Sequence, residues 1–133
     1  MIDSIVMPEA VTRGIRVAVR SAYVPERSRP LEDHWFFSYT IRITNEGTET
    51  AQLLSRHWII TDATGAVQEV RGPGVVGSQP VLGPGEFFEY TSACPLGTPF
   101  GSMQGTYRMV TAGGTSFDAE IPAFTLAEPF AVN

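Results

Sequence analysis

Alternation of apolar and polar side chains along residues 34–44 is the feature that most constrains the fold of this sequence. The apolar residues there are Trp35, Phe37, Tyr39, Ile41 and Ile43. A period of two places successive side chains on opposite faces of a β-strand, whereas an amphipathic helix repeats every ~3.6 residues. The segment therefore predicts a strand with one face buried in a core.

Six further segments have the same character and lie between turn signals such as Gly113-Gly114. They are residues 14–21, 50–61, 66–71, 86–93, 102–110 and 115–124. About seven strands without a helical period predict an all-β chain, namely an immunoglobulin-like (fibronectin type III-like) sandwich of two antiparallel sheets. The 133 residues are predicted to form one domain, 1–133, with loosely held tails before about residue 12 and after about 127.

Composition limits the partners that such a domain is expected to take. The net charge is −5, and all nine basic residues are arginine, which disfavours binding to a nucleic-acid backbone. No run approaches the ~20 apolar residues that cross a bilayer, and the N-terminus has no secretory pattern. The single cysteine, Cys94, cannot form an internal disulfide. We therefore expect a cytoplasmic protein without a nucleic-acid or membrane partner.

The most specific local motif is Gly72-x-Gly74-x-x-Gly77, which follows a predicted strand. In dinucleotide-binding folds this spacing opens a helix whose N-terminus holds the pyrophosphate. Two prolines, Pro80 and Pro84, exclude a helix here, so that interpretation fails.

An anion site could still form around this loop, because successive glycines can turn N–H groups toward one point. Arg71 lies beside the loop, and a hairpin of residues 50–61 and 66–71 could bring Arg56 and His57 close. Such a cluster would bind pyrophosphate or a nucleotide. The alternative is that the glycines only shape a tight loop against the sandwich.

Catalytic and metal-binding patterns are weak in this sequence. His34 and His57 lack ligand spacing to a Cys or acidic residue, so no metal site or cofactor is predicted. No serine lies in a G-x-S-x-G elbow, and Cys94 has no Cys-His signature. We therefore predict no catalytic residue.

Five blocks of the sequence together resemble the ApaG family, from about residue 14 to the C-terminus. They are residues 23–28, 52–62, 70–82, 84–92 and 101–109. The resemblance implies a fibronectin-type sandwich in a bacterial cytoplasmic protein, and it carries an association with cobalt resistance and magnesium efflux. Similar domains in eukaryotic F-box proteins look like interaction modules.

Three functions remain as hypotheses. The preferred one is a noncatalytic interaction module, which binds an unknown protein partner through loops or edge strands and could pair with a second copy as a homodimer. The second is a small-ligand sensor that binds pyrophosphate or nucleotide through Arg56, His57, Arg71 and the loop at Gly72–Gly77. The third, ranked last, is a hydrolase acting on such a phosphate compound.

Overall fold

The structure, a computed structural model, describes residues 7–129 and is an all-β sandwich. Nine strands lie within that range, joined by turns and two short 3₁₀ turns, Pro25–Arg27 and Pro30–Glu32. The strands are β1 (Glu9–Thr12), β2 (Ile15–Tyr23), β3 (Trp35–Asn45), β4 (Ala51–Asp62), β5 (Val67–Pro73), β6 (Val81–Leu82), β7 (Phe87–Leu96), β8 (Phe100–Thr111) and β9 (Ser116–Ala127).

The strands form two antiparallel sheets. The first has the order β1-β2-β3-β7, and the second has the order β5-β4-β8-β9, with the short β6 also paired to β4. The predicted all-β, two-sheet sandwich is therefore confirmed. The inner faces of the two sheets supply the core, as expected for a sandwich of alternating strands.

The predicted count of seven strands is wrong, because β1 and β6 were missed. Strand β6 has two residues, too few to show an alternating pattern. Strand β1 lies inside the predicted N-terminal tail, but its backbone pairs with β2 from Glu9 opposite Ala18 to Thr12 opposite Ile15. The tail prediction is thus corrected for residues 9–12. Its parts at 1–6 and 130–133 lie outside the described residues.

The core confirms the alternation that the sequence showed in β3. All five apolar residues of its odd-numbered face are buried, with exposures of 9% or less. Each such side chain contributes roughly 1.5–3 kcal/mol when fully buried. Trp58 packs edge-on against Tyr39 of the opposite sheet and against Phe124 of its own sheet, with ring centroids 5.4 and 5.9 Å apart.

A β-bulge in β4 shifts the phase of that strand. The pairing register with β8 slips between Leu53 and Ser55, so Leu53 and Trp58 are both buried although they differ in parity. Beyond the bulge the even-numbered residues face the core. Arg56 consequently shares the inner face with Trp58, whereas His57 lies on the outer face.

The two sides of the sandwich differ. On one side β9 is joined to the first sheet: the Glu120 N–H donates to Thr12 Oγ1 (3.0 Å), and Ser21 Oγ donates to the Thr125 carbonyl (2.9 Å). On the other side the edges are β7 and β5, and neither pairs with another strand on its outer side within residues 7–129. The sandwich is closed at β9 and open between β5 and β7.

Candidate functional site

The glycine-rich loop folds into a small hairpin rather than opening a helix. Val75 pairs with Ser78 across a two-residue turn, Val76-Gly77, in which both residues have positive φ (42° and 79°). Such turns favour Asn-Gly, and a β-branched valine at positive φ is strained. At Gly74 (φ 59°) an added Cβ would lie 2.3 Å from the Ser78 carbonyl oxygen, so only glycine fits.

The polar groups of this loop are largely occupied within the fold. The N–H groups of Gly74, Val75 and Ser78 donate to main-chain carbonyls at 2.8–2.9 Å. Arg56 Nη1 donates to the carbonyl oxygens of Pro73 and Gly74, both at 2.9 Å. The loop therefore presents carbonyl oxygens to the arginine, which braces the loop against the sheet.

The side chains of the predicted ligand residues point to two faces of the sheet. Arg56 reaches along the inner side and packs where Gly72 has no side chain, because a Cβ there would lie 2.9–3.1 Å from the guanidinium. His57 and Arg71 are directly opposite each other on the outer face of β4 and β5. Both contact Glu69 Oε1, His57 through Nε2 at 2.7 Å and Arg71 through Nη2 at 3.6 Å.

This outer-face cluster continues onto β8 and β9. Arg108 forms an ion pair with Asp118 at 2.8 Å. Both line a shallow concavity of about 420 Å³, which the predicted residues Arg56, His57, Arg71 and Gly72 also border. Basic and acidic groups alternate there. The surface can hold an anion only in competition with Glu69 and Asp118.

A second site, which the sequence did not predict, lies on the open side between β5 and β7. It is a cleft of about 280 Å³, called here the inter-sheet cleft. Its lining comes from five strands: Tyr39, Arg56, Trp58, Ile60, Gln68, Val70, Ser92, Ala93, Cys94, Pro95 and Met103. Aromatic and aliphatic groups share its walls with polar groups, and Arg56 supplies a positive charge. Such a lining suits an apolar group that carries a neighbouring negative charge.

Phenol groups lie buried in the core beside this charge. The hydroxyls of Tyr90 and Tyr107 are hydrogen-bonded at 2.5 Å. Burial raises the pKa of both phenols, and the positive charge of Arg56 offsets part of that effect. The hydroxyls therefore stay protonated and act as structural hydrogen-bonding groups.

The cleft holds one thiol, that of Cys94. Burial raises the pKa of the Cys94 thiol to about 11, which keeps it protonated and weakly nucleophilic near neutral pH. In residues 7–129 no three His, Cys, Asp or Glu side chains gather in a way that could hold a metal ion.

None of the helical segments in this range is long and apolar enough to cross a membrane.

The inter-sheet cleft was not predicted from the sequence, because the residues that line it are dispersed along the chain. The residues that form it run from position 39 to position 103. The one available signal was the even-numbered run Arg56, Trp58 and Ile60 in a single strand. An arginine in phase with a buried tryptophan indicates a charge that reaches the edge of a core.

Comparisons with a family model and with known proteins all identify ApaG proteins as similar to this chain. Residues 25–111 match the family model described as the ApaG domain. The chain is 61% identical to the Protein ApaG of Methylobacterium sp. (strain 4-46) over 123 residues, which cover 92% of this chain and 95% of that protein. It is 59% identical to the Protein ApaG of Rhodospirillum centenum over the same shares of each chain.

Solved structures agree with the fold. A crystal structure of an ApaA protein from Bordetella pertussis superposes with a TM-score of 0.84 at 54% identity, covering 94% of this chain and 98% of that one. The C-terminal domain of wzt, at 8% identity and a TM-score of 0.53, covers 91% of this chain and 77% of that chain, and it shares the fold alone.

Proposed function

This chain belongs to the ApaG domain family, and from that premise we propose that it is a noncatalytic binding module. Its partner is a protein, and the docking site is the open side of the sandwich at the inter-sheet cleft. The partner places an apolar side chain in the cleft and an acidic group beside Arg56.

One observation carries this proposal, namely the difference between the two sides of the sandwich. The side at β9 is joined by hydrogen bonds between sheets, whereas the side between β5 and β7 leaves a cleft that reaches Tyr39 and Trp58. Partners of sandwich domains commonly bind at loops and free strand edges. The open side combines a free edge with an apolar recess.

Arg56 gives the cleft its chemical preference. Hydrogen bonds to the loop use Nη1, and neither Nε nor Nη2 makes a hydrogen bond to any residue in the described range. A partly buried guanidinium with free donors binds a carboxylate more strongly than an exposed one does, because solvent screens it less. We therefore expect an acidic residue next to the apolar anchor of the partner.

Site-specific crosslinking tests the proposal. A photo-crosslinking amino acid replaces Gln68, which is exposed on the inner side of β5 and lines the cleft. The matched control is Gln104, which is exposed on the outer face of β8 opposite Ile59. We expect one defined protein adduct from position 68 and none from position 104. Adducts of equal yield from both positions would contradict the proposal.

A second candidate function is the binding of pyrophosphate or a nucleotide on the outer face. The observation in its favour is the concavity in which His57, Arg71 and Arg108 approach one another. NMR titration of the protein with pyrophosphate and ATP tests it, with Arg71→Ala as the binding-deficient variant and Arg20→Ala as the control. Absence of amide shifts at ~5 mM ligand would exclude this function.

The association of the ApaG family with cobalt resistance and magnesium efflux gives the proposed module a cellular setting. We extend the proposal to a cytoplasmic role in divalent-cation homeostasis, exerted through the partner protein. Calorimetric titration with Co²⁺ and Mg²⁺ tests whether the protein acts through its partner or binds the ions itself. Tight binding of either ion to the isolated protein would show that it acts directly on the metal.

A further inference from the structure

The free edge of β5 has a fixed hydrogen-bonding pattern. At one end the Asp62 N–H donates to the Ala66 carbonyl (3.0 Å), and at the other the Gly74 N–H donates to the Leu54 carbonyl (2.9 Å). The register between these points is continuous, so the even-numbered residues of β5 form the hydrogen-bonded pairs with β4. The N–H and C=O groups of odd-numbered residues therefore point away from β4.

Two of those odd-numbered residues, Glu69 and Arg71, carry opposite charges. Their side chains lie on the same outer face, two positions apart, and are 54% and 72% exposed. No strand pairs with this edge within residues 7–129. Opposite charges directly across an antiparallel pair stabilise that pair, and like charges destabilise it.

We propose that β5 pairs antiparallel with β5 of a second copy of this chain, about a two-fold axis at Val70. In this register Glu69 of each copy lies opposite Arg71 of the other. Residues 69 and 71 both direct their N–H and C=O groups outward, so each of these cross-strand pairs can exchange two backbone hydrogen bonds. The result is one continuous sheet through two sandwiches.

The charges select this register over its neighbours. An axis at Glu69 also satisfies the backbone pattern, but it places Glu69 opposite Glu69 of the second copy. A register that pairs an odd-numbered residue with an even-numbered one brings an outward N–H against a residue already bonded to β4. The axis at Val70 thus combines matched hydrogen bonds with matched charges.

The other free edge lacks such a pattern. The Asn45 N–H donates to the Glu86 carbonyl, so the odd-numbered residues of β7 point outward, and among them only Glu89 is charged. On β5 the pairing ends before Pro73, which has no N–H and whose carbonyl already accepts a bond from Arg56. A contact this short falls below the ~1,000 Å² of stable complexes, so the dimer is weak.

Sedimentation equilibrium from ~10 µM to ~1 mM tests the proposal by charge exchange. Glu69→Arg alone and Arg71→Glu alone place like charges opposite each other, and each is expected to weaken self-association at least ~10-fold. An equimolar mixture of the two variants is expected to form a heterodimer, since both cross-strand pairs are then opposite in charge. The double variant, which exchanges the charges, is expected to dimerise like the wild type.

A matched control lies on the same outer face, away from the edge. Asp118→Arg breaks the pair with Arg108 between β8 and β9 and is expected to leave self-association unchanged. Near-UV circular dichroism checks that each variant is folded. A wild-type protein that stays monomeric at ~1 mM would overturn the proposal, and so would a mixture of folded single variants that fails to associate. Self-association needs no other protein, so its failure leaves the proposed docking site unaffected.

Discussion

Arg56 Nη1 lies 2.9 Å from the carbonyl oxygen of Pro73, so a side chain on the inner face of β4 holds the loop that follows β5. The same nitrogen donates to the Gly74 carbonyl. The arginine thereby links the glycine-rich loop to the inter-sheet cleft.

Arg56→Ala should lower the free energy of unfolding by about 1.5–3 kcal/mol, because hydrogen bonds from a charged donor are worth about that much. Urea denaturation measures the change. Arg71→Ala is the control: its side chain is 72% exposed, and its loss should cost less than about 0.5 kcal/mol. Equal losses for the two variants would contradict a bracing role for Arg56.

Gly74→Ala and Gly77→Ala should differ in their effect on stability. Both glycines have positive φ, but a Cβ at Gly74 meets the Ser78 carbonyl at 2.3 Å, whereas a Cβ at Gly77 meets nothing within 4 Å. We expect a loss of about 1 kcal/mol at Gly77, from the backbone conformation alone, and at least about 3 kcal/mol at Gly74. Thermal and urea denaturation compare them. Similar losses would show that the loop relaxes freely around position 74.

Tyr107→Phe should destabilise the protein by about 1–3 kcal/mol, because it leaves the buried Tyr90 hydroxyl without its partner. Tyr90→Phe combined with Tyr107→Phe removes both hydroxyls and should cost less than the sum of the single changes. A double-mutant cycle by urea denaturation measures this coupling. Strict additivity would indicate that the two hydroxyls do not interact.

Stability should decline in alkaline solution. Burial raises the pKa of the Cys94 thiol from its ordinary value of 9.0 to about 11, so the unfolded chain loses this proton at lower pH than the folded one. The contribution of the protonated Cys94 thiol to the free energy of unfolding is complete below about pH 9 and is lost as pH rises through about 11. Melting temperatures from pH 8 to pH 11 measure the decline. Cys94→Ala should make the decline in melting temperature with pH less steep, although the buried phenols still contribute to that decline. An unchanged slope would show that the Cys94 thiol is not its cause.

Much of the fold follows from local patterning. The alternation in β3 and the turn signals predict the two-sheet sandwich, because each depends on residues close together in sequence. Strand β1 was missed since its four residues are defined by pairing to β2 rather than by their own pattern. The bulge between Leu53 and Ser55 reverses the faces of β4, and no local signal indicates it.

The candidate site was harder to predict from the sequence, because it too depends on contacts between strands that are far apart in the chain. His57 and Arg71 were correctly expected to come close, because a hairpin brings neighbouring strands together. Arg56 was grouped with them and borders the same outer-face concavity, while its guanidinium donates to the glycine-rich loop on the inner face because of the bulge. The inter-sheet cleft depends on the two sheets remaining apart between β5 and β7, a relationship between strands distant in the sequence.

The central claim, that a partner docks at the inter-sheet cleft, is tested most directly by filling the cleft. Isothermal titration calorimetry compares Gln68→Trp and Gln104→Trp in binding to the protein captured at position 68. Tryptophan at 68 occupies the mouth of the cleft, whereas at 104 it stands on the opposite face of the same sheet. We expect at least ~10-fold weaker binding for Gln68→Trp and a change within about twofold for Gln104→Trp. Unchanged binding by Gln68→Trp, or an equal loss in both variants, would contradict it.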